Sequence, residues 1–133
     1  MTAPVEDLMS KKVVSVDSTS TAFDMAREML NHDIGCVVVL ENRKVIGIAT
    51  KSDIIREAVI KRLDAQKITA KSVMTKPVVT IEAGNTLSDA SAVMSKNNIT
   101  KLPVIDRGEL VGIITSTDLV RRTRPSKLAK DMI

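Results

Sequence analysis

One stretch of this chain occurs twice, and that repetition constrains the fold more than any other feature. Val45-Ile46-Gly47-Ile48-Ala49-Thr50-Lys51-Ser52-Asp53-Ile54 returns 65 positions later as Leu110-Val111-Gly112-Ile113-Ile114-Thr115-Ser116-Thr117-Asp118-Leu119. Each copy reads as a short apolar strand running through a hydroxyl-rich turn into a helix, with an acid in the helix's first turn. The same offset aligns Met9 with Met74, Val14 with Val79, Thr21 with Thr86, Asp24 with Asp89, Met29 with Met94, Ile34 with Ile99 and Arg56 with Arg121. Chance apolar matching does not keep turn residues and acids in step. A single period without gaps means one supersecondary unit built twice.

Each copy reads strand–helix–strand–strand–helix. In the first, Pro4 opens a short helix over Val5–Met9, and Lys12–Val16 is β-branched enough for a strand. Asp17–Ser20 is a capping cluster, followed by Ala22, Met25, Ala26, Met29 and Leu30 at helical spacing, ending near Asp33. Cys36–Leu40 is a near-continuous apolar run, which suggests a strand covered on both faces. A hairpin at Glu41–Lys44 leads into Val45–Thr50, and Ser52 is the expected N-cap of a helix carrying Ile54 to Leu63. In the second copy the corresponding pieces are a short helix at Lys71–Met74, a strand at Pro77–Ile81, a helix capped by Thr86 and a strand at Ile99–Ile105. A hairpin with Gly108 at positive φ, the strand Leu110–Thr115 and a helix from Thr117 complete it. The expected division is repeat one over 4–65, repeat two over 66–124 and a tail over 125–133. The bridge Asp64–Lys67 is too short and polar for a free linker, and a unit of about 55 residues hardly covers its own sheet. Two copies packed about a pseudo-two-fold axis are the natural solution.

Composition removes several classes of function. Trp and Tyr are absent and Phe23 is the one phenylalanine, so aromatic stacking platforms for single strands are unavailable. One cysteine, Cys36, forms no internal disulfide, and with one histidine there is no metal cluster of the usual kind. No apolar run spans a bilayer and the N-terminus lacks a signal-peptide pattern, so a cytoplasmic protein without membrane contact is expected. No Ser/His/Asp set, Cys/His pair or Walker-type loop can be assembled, and no enzyme is expected. The net charge of +4 decides nothing alone.

The element order, the motif Gly-h-h-Thr-x-x-Asp (h apolar) in both copies and Ile99-Thr-Lys-Leu-Pro-Val-Ile-Asp106 together resemble the cystathionine-β-synthase (CBS) domain. The tandem resembles a CBS pair, or Bateman module, over about residues 4–124, and a stand-alone module is expected. The resemblance implies an α/β (α+β) fold of two repeats, each a small mixed three-stranded sheet with helices. It also implies a regulatory module that binds AMP, ADP, ATP or S-adenosylmethionine between the repeats and modulates a partner, with two modules associating as a disc-like homodimer. No other cofactor is implied.

The chemistry fits independently. A carboxylate after a tight turn can accept hydrogen bonds from two vicinal ribose hydroxyls, and charge-assisted bonds are the stronger class. Hydroxyls and free N–H groups at a helix start suit phosphate, and an apolar slot suits a purine. By resemblance, one site takes Ile113, Thr115, Thr117, Asp118 and Lys101 from the second copy, with Val14 and Gly35 to Val38, including Cys36, from the first. The mirror site takes Ile48, Thr50, Ser52 and Asp53, with Val79, Thr100, Lys101 and Pro103 from the second copy. Thr100-Lys101-Leu102-Pro103 stands against Gly35-Cys36-Val37-Val38, so unequal sites are expected, with Lys101 the leading phosphate contact.

Plainer roles compete for the same residues. Asp53 and Asp118 also suit helix capping, favoured by the dipole; Asp24 and Asp89 read as structural. Cys36 suits a small core residue, His32 a surface site, and the methionines core or a dimer interface. Arg121, Arg122 and Arg124 form a solvated helix end in one reading. In the alternative they serve a nucleic-acid-associated protein, whose binding would depend steeply on salt. A structural dimer with empty clefts is the third reading.

Overall fold

The computed structural model describes residues 2–76 and 78–123. The chain divides into two compact units, one over Val13–Val79 and one joining the first dozen residues to the chain from Thr80. They are called here the first-repeat and second-repeat units.

In the first-repeat unit, β1 (Ser15–Asp17) runs parallel to β2 (Cys36–Glu41), which pairs antiparallel with β3 (Lys44–Thr50). Val37, Val38 and Val39 are all buried, so β2 is covered on both faces as its unbroken apolar run requires. The β2–β3 hairpin turns through Asn42 and Arg43, both at positive φ, the twist a two-residue turn needs. α1 (Ala22–His32) links β1 to β2, and its Met25 and Met29 join Val37, Val39, Ala49 and Met74 in the core. The methionines at helical spacing are core.

The second-repeat unit repeats the plan with β4 (Ile81–Glu82), β5 (Lys101–Asp106) and β6 (Glu109–Thr115) in the order β4-β5-β6, and α4 (Leu87–Asn97) between β4 and β5. α5 (Ser116–Thr123) follows β6. Arg107 and Gly108 take positive φ in its hairpin, as expected for Gly108.

Several local expectations are corrected. The first strand starts at Ser15 rather than Lys12, and the second repeat's counterpart is only Ile81–Glu82, with Pro77 outside the described residues. Parallel pairing with β2 or β5, rather than β-branching, decides which residues of these runs count as strand. The cap of α1 is Thr21, beyond the Asp17–Ser20 cluster. Asp17 is used instead to accept from the Thr19 hydroxyl and amide, which hold its carboxyl below the usual range. Thr21 and Asp24 form a reciprocal capping box, as do Thr86 and Asp89. These boxes make both acids structural, as expected, and the Thr21 amide and hydroxyl hold the Asp24 carboxyl below its ordinary value. The helix expected over Ile54 to Leu63 is a four-residue α2 (Lys51–Ile54) continuing as a π-helix over Ile55–Ile60. The expected tail over 125–133 and Arg124 lie outside the described residues.

Each unit is sealed by a lead-in segment. α3 (Ala70–Val73) and its flanks close the first-repeat unit: Ala70 N–H donates to Ser20 O at 2.6 Å and Thr75 N–H to Ile48 O at 2.8 Å. The first residues do the same for the second-repeat unit. Val5 N–H donates to Asn85 O at 2.6 Å, Leu87 N–H donates to Ala3 O at 3.0 Å, and Ser10 exchanges two backbone bonds with Ile113. The paired glycines follow from this. A Cβ on Gly112 would lie 2.6 Å from Met9 Sδ and 2.8 Å from Ser10 O, and one on Gly47 would meet Met74. Each lead-in methionine needs a strand position with no side chain.

Candidate functional site

The strand-to-helix turn of each unit is built by the same capping box. In the first-repeat unit, Thr50 is the cap, not Ser52: Thr50 N–H donates to Asp53 Oδ2 at 2.8 Å and Asp53 N–H donates to Thr50 Oγ1 at 3.2 Å. A carboxylate three residues into the helix can reach back only to the residue that starts it, which leaves Ser52 exposed within the first turn. Asp53 is 4% exposed, and its carboxylate is engaged well beyond the cap. Thr75 Oγ1 lies 3.2 Å from both of its oxygens, and Arg56 Nη2 donates to Oδ1. Arg56 also lies 3.4 Å from Glu57, which Lys61 holds at 2.8 Å. Its guanidinium is held further above its ordinary pKa, first by the hydrogen bond to Asp53 and then by that charge.

The second-repeat turn has the same frame with a different carboxylate environment. Thr115 N–H and Oγ1 donate to Asp118 Oδ2 at 2.8 and 3.1 Å, and Asp118 N–H donates to Thr115 Oγ1 at 3.3 Å. Asp118 is half-buried, and among the described residues its Oδ1 receives no hydrogen bond. Ser116 and Thr117 add hydroxyls beside it, with α5 beginning at Ser116 rather than Thr117. Ser10 stands where the other unit has Thr75, but its Oγ accepts from Lys12 N–H at 3.2 Å.

The remaining expected site residues divide between the units. In the first, Cys36 opens β2 opposite Thr50, and the Gly35 carbonyl accepts from Lys51 N–H at 3.1 Å. The half-buried Val14 accepts from Val38 N–H at 2.9 Å, Ile48 is half-buried opposite Val38, and Val79 ends the unit. In the second, the Thr100 carbonyl accepts from Ser116 N–H at 2.9 Å, and Lys101 opens β5, half-buried opposite Thr115. Ile113 is buried, and Val38 and Pro103 present no exposed surface. Sequence reasoning missed Thr75 and did not assign Arg56 a role. The signal for Thr75 was present, since a hydroxyl follows the aligned methionine in both copies, at Ser10 and Thr75.

No helix among the described residues is long and apolar enough to cross a membrane, and no group of three potential metal ligands occurs among them. The chain matches the CBS domain family twice, over residues 5–60 and 70–124. An uncharacterized protein of Methanocaldococcus jannaschii is 32% identical over 117 residues, 86% of this chain and 63% of that protein. This chain thus spans about three fifths of that relative's length. A CBS domain-containing protein of Bacillus subtilis, YhcV, is 31% identical over 115 residues, covering 86% and 81% of the two chains. Among solved structures, a CBS domain pair in complex with 5′-methylthioadenosine and S-adenosyl-L-methionine superposes with a TM-score of 0.81 at 28% identity, covering 95% of this chain and 99% of that one. Two mixed three-stranded sheets, each ending in a Thr-x-x-Asp turn and each matched separately, leave one assignment: the chain belongs to the CBS domain family and carries that domain twice in tandem.

Proposed function

We propose that this chain is a regulatory module that binds an adenosine-containing ligand, AMP, ADP, ATP, S-adenosylmethionine or 5′-methylthioadenosine, through the turn that carries Asp118. The observation that carries this reading is the open Oδ1 of Asp118, half-buried beside three consecutive hydroxyl residues. Its other oxygen is fixed by the cap, so the carboxylate is oriented before any ligand arrives. A ribose diol donating to it replaces water at little ordering cost. Lys101, opening β5 opposite Thr115, is the phosphate or carboxylate contact in this reading. The solved CBS pair with methylthioadenosine and S-adenosylmethionine supports the ligand class.

Thermal unfolding with each of these compounds, and with GTP as the contrast, tests the proposal. A ligand at a hundred times its dissociation constant adds ~2.7 kcal/mol, which raises the midpoint of a domain this size by on the order of 10 °C. The shift is expected with adenine compounds, absent with GTP, and lost in Asp118→Ala. No shift with any compound at millimolar concentration would sink the proposal in favour of a module whose sites stay empty.

A second copy of the chain is the partner in this reading. The first-repeat unit exposes Phe23, Leu30 (82% exposed), Ile55, Val59, Ile60 and Leu63 on α1 and the run that follows β3. Ser88 and Ser95 stand at the positions of Phe23 and Leu30 in the second-repeat unit. Two of the basic side chains among these apolar residues are paired within the chain, Arg27 with Asp24 and Lys61 with Glu57. Sedimentation is expected to show a dimer that Leu30→Lys with Ile55→Lys converts to monomer, whereas Val120→Lys on the second-repeat unit leaves it intact. A dimer that survives the double change uses another face.

A further inference from the structure

We propose that the first-repeat turn is held shut by its own arginine: Arg56 occupies the side of the Asp53 carboxylate that a ribose diol needs, so each chain binds one ligand, at Asp118. The proposal rests on the adenosine-binding reading above and decides which of the two turns serves it.

The two acids sit at equivalent positions in equivalent capping boxes, so the difference between them comes from their neighbours. A carboxylate offers about four lone-pair positions. At Asp53 these are taken by the Thr50 amide, the Thr75 hydroxyl shared between both oxygens, and the Arg56 guanidinium. A ligand would have to expel Arg56 from a carboxylate whose side chain is 5% exposed, leaving a buried charge without its partner. Arg56 is steadied in turn by Glu57 and, through it, by Lys61.

In the second repeat, the position of Arg56 is held by Arg121, which makes no ion pair with Asp118 among the described residues. The position of Glu57 carries Arg122, and that of Lys61 carries Ser126, so the acid that steadies the arginine is replaced by a like charge. Ser10, in the place of Thr75, turns its oxygen toward Lys12 instead of the acid. All three supports of the closed state are thus present around Asp53 and changed around Asp118. An arginine keeps its charge at every accessible pH, so deprotonation does not open the latch.

Isothermal titration with AMP and with 5′-methylthioadenosine reads the prediction as stoichiometry. The wild type is expected to bind one ligand per chain, Asp118→Ala none, and Arg56→Ala two. Arg56→Ala combined with Asp118→Ala restores one. If Arg56→Ala fails to fold, Glu57→Gln loosens the arginine without touching the carboxylate, and the same second binding step is expected. Two ligands on the wild type, or one on both the wild type and a folded latch variant, overturns the latch while leaving the ribose reading intact. Binding of neither compound to any of these proteins overturns the ribose reading and the latch with it.

Discussion

Deleting residues 2–10 is expected to unfold the second-repeat unit while the first-repeat unit stays folded. In sequence these residues precede the first repeat, yet their bonds go to Ala83, Asn85, Leu87 and Ile113. Val5 is fully buried, which contributes about 1.5–3 kcal/mol. The backbone bonds to the loop before α4 and to β6 add about 0.5–1.5 kcal/mol each. Met9 lies over Gly112, where its loss opens a void beside β6. The sum is at least about 5 kcal/mol, comparable with the whole stability of a small domain. Hydrogen exchange checks it residue by residue: protection should vanish in α4, β5 and β6 and persist in α1, β2 and β3. Protection retained in α4, β5 and β6 would show that the first residues do not seal the unit they touch. Val5→Asp, which buries a charge in the same place, should give the same pattern more weakly.

That prediction comes from the one large feature the repeat conceals. An offset of 65 residues shows that two equal units exist, because core spacing, hairpins and the Thr-x-x-Asp turns recur in order. It does not show which lead-in serves which unit, since Met9 and Met74 occupy the same place in the period and either assignment keeps the alignment. That choice is tertiary, made by Ser10 pairing with Ile113 and Thr75 with Ile48.

The capping boxes are legible in sequence, because a Thr with an Asp three residues later is their signature; the reading of Asp24 and Asp89 as structural agrees with them, whereas the cap expected at Asp17–Ser20 does not. Ser52 beside the acid resembles a cap, but the reach-back of Asp53 selects Thr50. The π-helical run after Ile54 has no periodic signature, since Ile55, Val59 and Ile60 fit α-helical and π-helical spacing alike. At the site, spacing identified Asp53 and Asp118 as equivalents, and only their surroundings distinguish them. Thr75 is 22 positions from Asp53, beyond the reach of any local motif.

Without any ligand, Asp53→Ala is expected to destabilise the chain about two to three times as much as Asp118→Ala. Both substitutions remove a reciprocal cap, a loss of about 0.5–2 kcal/mol. Asp118→Ala removes little else, because its remaining oxygen has no partner among the described residues. Asp53→Ala also removes the acceptor of the Thr75 hydroxyl and the Arg56 guanidinium; both donors are exposed and return to water, so each lost bond costs about 0.5–1.5 kcal/mol. The expected losses are therefore about 3 kcal/mol and about 1 kcal/mol. At about 4 °C per kcal/mol for a chain of this length, the midpoints should fall by about 12 °C and about 4 °C. Thermal melts of the two variants decide it, and Thr75→Val separates the contributions by removing the hydroxyl while keeping the side chain's volume. Equal falls would mean that Arg56 and Thr75 add nothing to the hold on Asp53. The larger fall at Asp53, together with ligand binding lost only at Asp118, would show one repeated motif divided between two tasks, one copy bracing the fold and the other left open for a ribose.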